Sequence, residues 1–271
     1  MHHFIVIGNP ISHSKSPQIH TAFAQSLGLD ISYQRQFCPD NKESFNAVVE
    51  AFFHGGGTGA NITLPFKEHA FHLCQSLSDN AKTAKAVNTL MLKDGKLHGD
   101  NTDGQGLVGD LLTKGVKLQG ASVAILGAGG ATRGAVLPLL NAGANLTIFN
   151  RTLAKAQELI SDFATHLPHG QSIHALPLTA ENLTGYFDVI INATSASTTG
   201  QTLPLATSDM LCGTAYDMMY GKQSQFLEHF KAQNAQCFDG FGMLIGQAKL
   251  SFEQWTGESV DLSKVDLSAV V

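Results

Sequence analysis

The stretch from Val123 to Leu137 constrains the fold of this chain more than any other. Val123–Leu126 is a short apolar run of the kind that forms a strand buried on both faces, and it stops at Gly127. Gly129 and Gly130 follow, and the next apolar residues recur at helical spacing. A strand that feeds a helix through such glycines leaves backbone N–H groups unpaired at the helix start, without a side chain to exclude a pyrophosphate. The stretch therefore predicts the phosphate site of a dinucleotide-binding domain.

A second strand supports this interpretation. The glycine pattern alone is a modest signal, because it reads G-x-G-G-A and a tight turn would also explain it. Leu146–Phe149 ends roughly twenty residues after Gly127, where the adenosine ribose binds in this architecture.

The triplet after that strand distinguishes the two nicotinamide cofactors. An NAD site usually has an acidic residue there, and Asn150, Arg151 and Thr152 include none. The guanidinium of Arg151 and the hydroxyl of Thr152 suit a 2′-phosphate, so NADP(H) is favoured. The alternative is that Arg151 is a solvated loop residue and Thr152 only the N-cap of a helix over Leu153–Phe163.

Composition excludes several other classes of function. The 271 residues suffice for one large domain or two ordinary ones, and 43% hydrophobic residues can form a core. A net charge of −5 with dispersed Lys and Arg argues against nucleic acid as a partner, and no apolar run predicts a membrane span. The N-terminal residues lack the features of a signal peptide, so we expect a cytoplasmic protein.

Cysteines and histidines do not predict a metal site. The four cysteines, Cys38, Cys74, Cys212 and Cys237, form no C-x-x-C pair, so we expect reduced thiols. His69 and His72 could share a helix face, but they have no third ligand nearby. We therefore expect no metal.

The N-terminal part alternates strands and helices. Strand patterns cover Phe4–Gly8, Ser32–Phe37 and Gly59–Ile62, and helices run to about Leu27 and over Lys42–His54. This alternation predicts a mostly parallel sheet. Ligands bind at the carboxyl ends of such strands, which gives the polar residues there a possible function.

Two serines follow the first strand. Ser16 precedes Pro17, which predicts that Ser16 is the N-cap of the first helix. Ser14 caps nothing obvious. Both hydroxyls are placed to bind an anion such as a carboxylate, although a simple cap is the stronger interpretation for Ser16 alone.

Lys67 and Asp103 are the candidate catalytic pair. Lys67 follows the third strand, with Pro65 predicted in the first turn of a new helix, where the macrodipole disfavours an ammonium and so favours proton transfer. Asp103 follows a hairpin that turns at Asp94-Gly95. It could pair with Lys67 across a cleft. The alternatives are an exposed surface lysine and an aspartate that caps a helix over Gly106–Thr113.

Later segments continue the alternation. The segment after Asp103 is predicted to be a helical connection into the nucleotide domain. Val189–Asn192 is a buried strand whose following small polar residues, through Ser195, could line the cofactor, and we expect a mobile loop over 197–202. A last helix is predicted over about Phe241–Trp255.

Taken together, the motifs closely resemble those of the shikimate dehydrogenase family. They are N-P-I-S-H-S-K-S-P at 9–17, N-I-T-L-P-F-K at 61–67, A-V-N-T at 86–89, N-T-D-G at 101–104, G-A-G-G-A at 127–131, N-R-T at 150–152, Y-D-M-M-Y at 216–220 and D-G-F-G-M-L-I-G-Q-A at 239–248. Eight motifs in family order are not a chance match.

The resemblance implies an α/β protein with two domains. A mostly parallel α/β substrate domain (1–103 with 241–271) would accompany a Rossmann-type NADP domain (104–240), with the active-site cleft between them and the last helix packed on the first domain. The implied activity is reversible NADPH-dependent reduction of 3-dehydroshikimate to shikimate, in aromatic amino-acid biosynthesis. Monomer and homodimer both remain open.

The resemblance also implies roles for individual residues. Lys67 would transfer the proton, paired with Asp103. The substrate would contact Ser14, Ser16, Thr63, Lys67, Asn88, Asp103, Tyr220 and Gln247. The cofactor would contact Asp79, Gly127, Ala128, Gly129, Gly130, Ala131, Asn150, Arg151, Thr152, Leu153, Ala154, Lys155, Met218 and Gly240.

Two alternatives remain at this point. One is a quinate/shikimate dehydrogenase of broader specificity that uses NAD, which the N-R-T triplet disfavours. The other is a catalytically silent homologue that binds NADP or shikimate, which the presence of both Lys67 and Asp103 disfavours.

Overall fold

A computed structural model describes residues 1–194, 202–221 and 223–270. The chain packs as two compact units, one of Met1–Thr102 with Ile245–Val271 and one of Asp103–Leu244. The predicted domain limits differ from these units by a few residues and stay a prediction. Ser195 and the loop predicted over 197–202, except Thr202, lie outside the described residues.

The first unit contains a mixed six-stranded sheet. Its elements in chain order are β1 (His2–Gly8), α1 (Ser16–Leu27), β2 (Ile31–Phe37), α2 (Lys42–His54), β3 (Gly59–Ile62), α3 (Lys67–Leu73), β4 (Ser76–Leu77), α4 (Asp79–Ala84), β5 (Thr89–Lys93) and β6 (Lys96–Asp100). The strand order is β2-β1-β3-β5-β6-β4. β1 pairs in parallel with β2 and β3, and β4 with β6. The β5–β6 hairpin makes the antiparallel pairings.

The sequence explains the position of the hairpin turn in this sheet and the burial of its strands. Asp94 and Gly95 have φ values of 51° and 72°, the left-handed conformations that a two-residue hairpin turn requires. Alternate residues of β1 pack on opposite faces, with Ile5 and Ile7 in one apolar cluster and Phe4 in another with Trp255. The Trp255 indole N–H donates to the Leu90 carbonyl oxygen at 3.0 Å, so the end of the last helix packs on this unit.

The second unit contains an all-parallel six-stranded sheet. Its elements are α5 (Asp103–Thr113), β7 (Ser122–Leu126), α6 (Gly130–Asn141), β8 (Asn145–Asn150), α7 (Leu153–Phe163), β9 (Ile173–Pro177), β10 (Thr184–Asn192), β11 (Asp209–Asp217), α8 (Gln225–Lys231) and β12 (Gln236–Asp239), and α9 (Phe241–Thr256) begins here and ends in the first unit. A short 3₁₀ turn lies at Ala164–His166, and another at Leu262–Lys264 belongs to the first unit.

The order of this sheet identifies its topology. The strands follow β12-β11-β10-β7-β8-β9, so the chain moves outward from β7 in one direction and then from β10 in the other. This is the doubly wound arrangement, in which ligands bind at the carboxyl ends of the strands where the direction reverses. That point lies between β7 and β10. The predicted α/β class with a Rossmann-type domain is confirmed.

Two further findings concern membrane crossing and the cysteines. Among the described residues, no helix has the length and apolarity that crossing a bilayer would require. All four cysteines carry free thiols.

Candidate active site

Residues 9–16, here called the serine loop, connect β1 to α1. Helix α1 begins at Ser16 itself, and Lys15 occupies the N-cap position without a side-chain capping bond. The prediction that Ser16 is the N-cap is therefore wrong. Ser14 takes part of that role, because its Oγ accepts from the Ser16 backbone N–H at 3.3 Å. The two hydroxyl oxygens lie 3.2 Å apart, so they form a single polar feature with donors for one carboxylate.

Lys67 is the first residue of α3 and is half-buried. A turn precedes this helix, because the Phe66 N–H donates to the Thr63 carbonyl oxygen at 3.0 Å. Pro65 therefore lies before the helix rather than in its first turn as predicted. The buried Phe66 ring stacks on Phe45 at 5.0 Å, and the Lys67 carbonyl oxygen accepts from the Val87 N–H at 2.9 Å. These contacts fix the backbone that carries the amine.

Asn88 and Gln247, which are 159 residues apart, meet in the first unit. The Asn88 amide nitrogen donates to Gln247 Oε1 at 3.3 Å and to Thr102 Oγ1 at 2.9 Å. The Asn88 amide oxygen accepts from the Thr102 N–H at 2.9 Å. Asn88 is 2% exposed and Gln247 half-buried, so the pair forms a fixed polar surface suited to hydroxyl groups.

Several members of this network carry no predicted function. Asn61 Nδ2 donates to the Asn88 carbonyl oxygen and to Ser251 Oγ, each at 3.1 Å. Ser251 Oγ also lies 2.7 Å from Thr89 Oγ1. Asn61 and Thr89 lie inside the recognised motifs, so their position could have indicated them. Ser251 lies in no such motif, and only the packing of α9 reveals it.

Gly127 to Ala131 form the turn between β7 and α6. Gly127 has a φ of 104°, its N–H donates to the Phe149 carbonyl oxygen at 2.7 Å, and α6 begins at Gly130. A Cβ added at Gly129 or Gly130 would meet no atom within 4 Å. The helix start is therefore open, which suits a pyrophosphate at the positive end of the dipole.

The residues from Asn150 to Lys155 follow β8. Asn150 Oδ1 accepts from the Ala128 N–H at 3.2 Å, which ties this segment to the glycine turn. Arg151 and Thr152 are exposed. Thr152 occupies the N-cap position of α7, but its side chain makes no capping hydrogen bond. The cap interpretation therefore does not account for the Thr152 hydroxyl. Leu153, Ala154 and Lys155 form the first turn of α7.

Met218 and Tyr220 lie in the turn after β11, beside Gly240. The Met218 N–H donates to the Asn192 carbonyl oxygen, and the Gly240 N–H to the Met219 carbonyl oxygen, each at 3.0 Å. A Cβ on Gly240 would lie 2.1 Å from the Met218 carbonyl oxygen, so this close approach requires glycine. Burial raises the pKa of Tyr220, in the direction that favours the protonated phenol.

The two predicted acidic residues belong to different units. Asp79 opens α4 in the first unit, is exposed and pairs with Lys82 at 2.9 Å. Asp103 is the half-buried first residue of α5, in the second unit. The alternative that Asp103 caps a helix starting at Gly106 does not hold, because α5 already begins at Asp103. Its pairing with Lys67 stays a prediction.

The glycine turn and the end of β8 in the second unit suit NADP. The glycine turn is open at the helix start, and the tip of β8 presents Arg151 and no acidic side chain at 150–152. Within the described part of the chain, no cluster of three or more His, Cys, Asp or Glu could hold a metal ion.

The parallel sheet, its glycine turn and the polar strand ends are those of the dinucleotide-binding domains found in nicotinamide-dependent oxidoreductases. Family models divide the chain accordingly: "Shikimate dehydrogenase substrate binding domain" matches residues 6–90, "Shikimate / quinate 5-dehydrogenase" 110–204 and "Shikimate 5'-dehydrogenase C-terminal domain" 240–265. The chain belongs to the shikimate dehydrogenase family, as its motifs predict.

Individual relatives support the same assignment. A shikimate dehydrogenase (NADP(+)) of Psychrobacter arcticus is 55% identical, covering 97% of this chain and 96% of the relative. The crystal structure of an Ael1 enzyme from Pseudomonas putida aligns with a TM-score of 0.87 at 38% identity, covering 100% of this chain and 97% of that one. Shikimate 5-dehydrogenase of Thermus thermophilus in complex with NADP(H) and shikimate aligns with a TM-score of 0.83 at 32% identity, covering 97% of both chains.

Proposed function

We propose that this protein catalyses the reversible, NADP-dependent interconversion of shikimate and 3-dehydroshikimate, a step of aromatic amino-acid biosynthesis. The observation that carries the substrate assignment is the hydrogen bond between the Asn88 and Gln247 side chains. These amides come from distant motifs, and side-chain amides of this kind suit the ring hydroxyls of a small polyol. The Ser14–Ser16 hydroxyl pair in the same unit suits the carboxylate of that molecule.

Lys67 and Asp103 are proposed as the catalytic residues. When bound, NADPH supplies the hydride that reduces the substrate carbonyl carbon. Negative charge then develops on the carbonyl oxygen, and the Lys67 ammonium gives it the proton that completes the hydroxyl. Asp103 would accept a hydrogen bond from that ammonium and fix its position. In the reverse direction Lys67, as the neutral amine, takes the proton from the hydroxyl.

The remaining residues are proposed to bind and position the two ligands. The first unit would hold the substrate through Ser14, Ser16, Thr63, Asn88 and Gln247, and Tyr220 would add a phenol donor. The second unit would hold NADP on the glycine turn, with Arg151 and Thr152 at the 2′-phosphate and Met218 and Gly240 at the nicotinamide end. The assignment of Asp79 to the cofactor rests only on the resemblance to the family.

A two-substrate, two-cofactor assay tests the proposal. Purified protein is mixed with shikimate or quinate and with NADP⁺ or NAD⁺, and absorbance of the reduced cofactor is followed. We expect turnover with shikimate and NADP⁺ to exceed the other combinations. A preference for quinate with NAD⁺ would establish the broader enzyme, which the shared shikimate/quinate family model keeps as the second candidate. No reduction in any mixture would indicate a non-catalytic binding protein.

We also propose that the protein acts in the cytoplasm as a monomer or homodimer. Four free thiols suit a reducing compartment. Light scattering after size-exclusion chromatography, with and without NADP⁺, would distinguish the two assemblies, and fractionation of the source cells would test the compartment.

A further inference from the structure

Strand β2 forms one edge of the sheet in the first unit and presents different side chains to its two faces. Ser32, Gln34 and Gln36 line a shallow groove together with Val48 and Phe52 of α2. Because side chains alternate along a strand, Tyr33 and Arg35 share the opposite face. Helix α1 and the serine loop contact that face.

Arg35 holds the serine loop by its backbone. Its Nε and Nη2 atoms donate to the Ser14 carbonyl oxygen at 2.9 and 2.6 Å. Nη2 also donates to Gln18 Oε1 at 3.0 Å. This exposed side chain therefore contacts both the serine loop and the first turn of α1. A guanidinium fork on one carbonyl restricts the loop far more than a single donor would. It also places a positive charge beside the two hydroxyls that we propose bind a carboxylate.

Tyr33 holds the other side of the substrate residues through Asn61. The Tyr33 hydroxyl donates to Asn61 Oδ1 at 2.7 Å. With its oxygen engaged in this way, the Asn61 amide presents its nitrogen to the Asn88 carbonyl oxygen at 3.1 Å. Asn61 is 5% exposed, so loss of the Tyr33 donor could not be replaced by bulk water. The Tyr33 hydroxyl thus holds the oxygen end of the Asn61 amide, while the nitrogen end donates to the Asn88 carbonyl oxygen.

We propose that Tyr33 and Arg35 are positioning residues for the shikimate site, with Arg35 ordering the serine loop and Tyr33 ordering Asn61 beneath Asn88. This inference rests on the proposed function, because it assigns both residues to the substrate of that reaction. Neither residue needs to touch the substrate, and neither is assigned to the chemical step. Their effect is therefore expected on substrate affinity, with the cofactor site unaffected.

The experiment compares Arg35→Gln, Arg35→Lys and Tyr33→Phe with Gln34→Ala, a matched change on the opposite face of β2. We expect Arg35→Gln to raise the KM for shikimate about tenfold, as loss of a charge-assisted contact beside an anion predicts, with the KM for NADP⁺ within about twofold. Arg35→Lys keeps the charge without the fork and should recover part of this loss. Tyr33→Phe should raise the KM for shikimate severalfold, and Gln34→Ala should change neither constant.

A substrate analogue separates the charge of Arg35 from its ordering of the serine loop. For shikimate whose carboxylate is replaced by a carboxamide, Arg35→Gln should raise the KM less than for shikimate, because the neutral group is not attracted by the guanidinium. The rise in KM that remains measures the ordering of the loop. Unchanged KM for shikimate in Arg35→Gln and Tyr33→Phe, with active wild type, would overturn the inference. A rise in the KM for NADP⁺ as large as that for shikimate would also overturn it, because it would indicate general destabilisation. Failure of the wild-type protein to oxidise shikimate would instead refute the proposed function.

Discussion

His20 allows a quantitative prediction about stability. It lies on α1, is 0% exposed, and stacks on Tyr33 at 4.5 Å and on Trp255 at 5.3 Å. Within the described residues, neither ring nitrogen has a hydrogen-bond partner, although the nearby Asn61 side chain favours the charged form slightly. Burial outweighs that effect and lowers the pKa of His20 from 6.5 to about 3.

The lowered pKa determines how stability depends on pH. Between pH 6.5 and about 3 the unfolded chain binds a proton at His20 that the folded chain does not. The stability contributed by the neutral ring is therefore present above pH 6.5 and is lost as the pH falls towards 3. By this proton linkage, His20 lowers the free energy of unfolding by about 2 kcal/mol between about pH 7 and pH 5, and by about 5 kcal/mol over the whole window.

The assay uses Trp255, the single tryptophan of the chain, which lies beside His20. Urea unfolding is followed by Trp255 fluorescence at about pH 7 and pH 5 for wild type and for His20→Phe, which keeps an aromatic ring and removes the titrating group. All other groups titrate alike in both proteins. We expect the wild type to lose about 2 kcal/mol more than the variant over this interval. Equal losses in the two proteins would refute the reasoning.

Three further predictions concern catalysis, cofactor choice and packing. Lys67→Ala should lower kcat for shikimate about a hundredfold or more with little change in KM, whereas the exposed control Lys42→Ala should change neither constant. A rise in KM as large as the fall in kcat for Lys67→Ala would argue against a chemical role. Arg151→Ala should raise the KM for NADPH about tenfold and leave that for NADH unchanged in steady-state assays, and an unchanged cofactor preference would contradict the 2′-phosphate assignment. Gly104→Ala should destabilise the second unit by about 1–3 kcal/mol in thermal unfolding, because its Cβ would lie 2.1 Å from a carbonyl oxygen of α6. Gly109 lies on the same helix, and a Cβ added there would meet no atom within 4 Å, so Gly109→Ala should stabilise the second unit by up to about 1 kcal/mol. Similar changes in stability for the two variants would refute the packing argument.

The sequence predicts an element well where residues adjacent in the chain are enough to fix its conformation. Helix α2 occupies the predicted Lys42–His54, and its Asn41 side chain accepts from the Ser44 N–H at the N-terminus. The glycine turn has its left-handed residue at Gly127, between a strand and a helix as predicted. In each case a few adjacent residues determine the backbone conformation.

The errors fall where a local signal has more than one solution. Ser16 before Pro17 is typical of an N-cap, yet the helix begins one residue earlier and Ser14 accepts the hydrogen bond. Asp103 opens α5, whereas the sequence pattern places the start of this helix at Gly106. A one-turn extension costs little locally, and packing of the helix decides where it begins.

The sequence by itself determined the family, the cofactor type and the candidate ligand residues, because these depend on motifs of a few adjacent residues at strand ends. Only the tertiary structure decided that the Asn88 amide donates to Gln247 and that Tyr33 donates to Asn61. It also decided that the buried His20 ring stacks on Trp255. Each of these contacts joins residues far apart in the chain. Side-chain partners of that kind follow from how whole elements pack, and no local propensity encodes them.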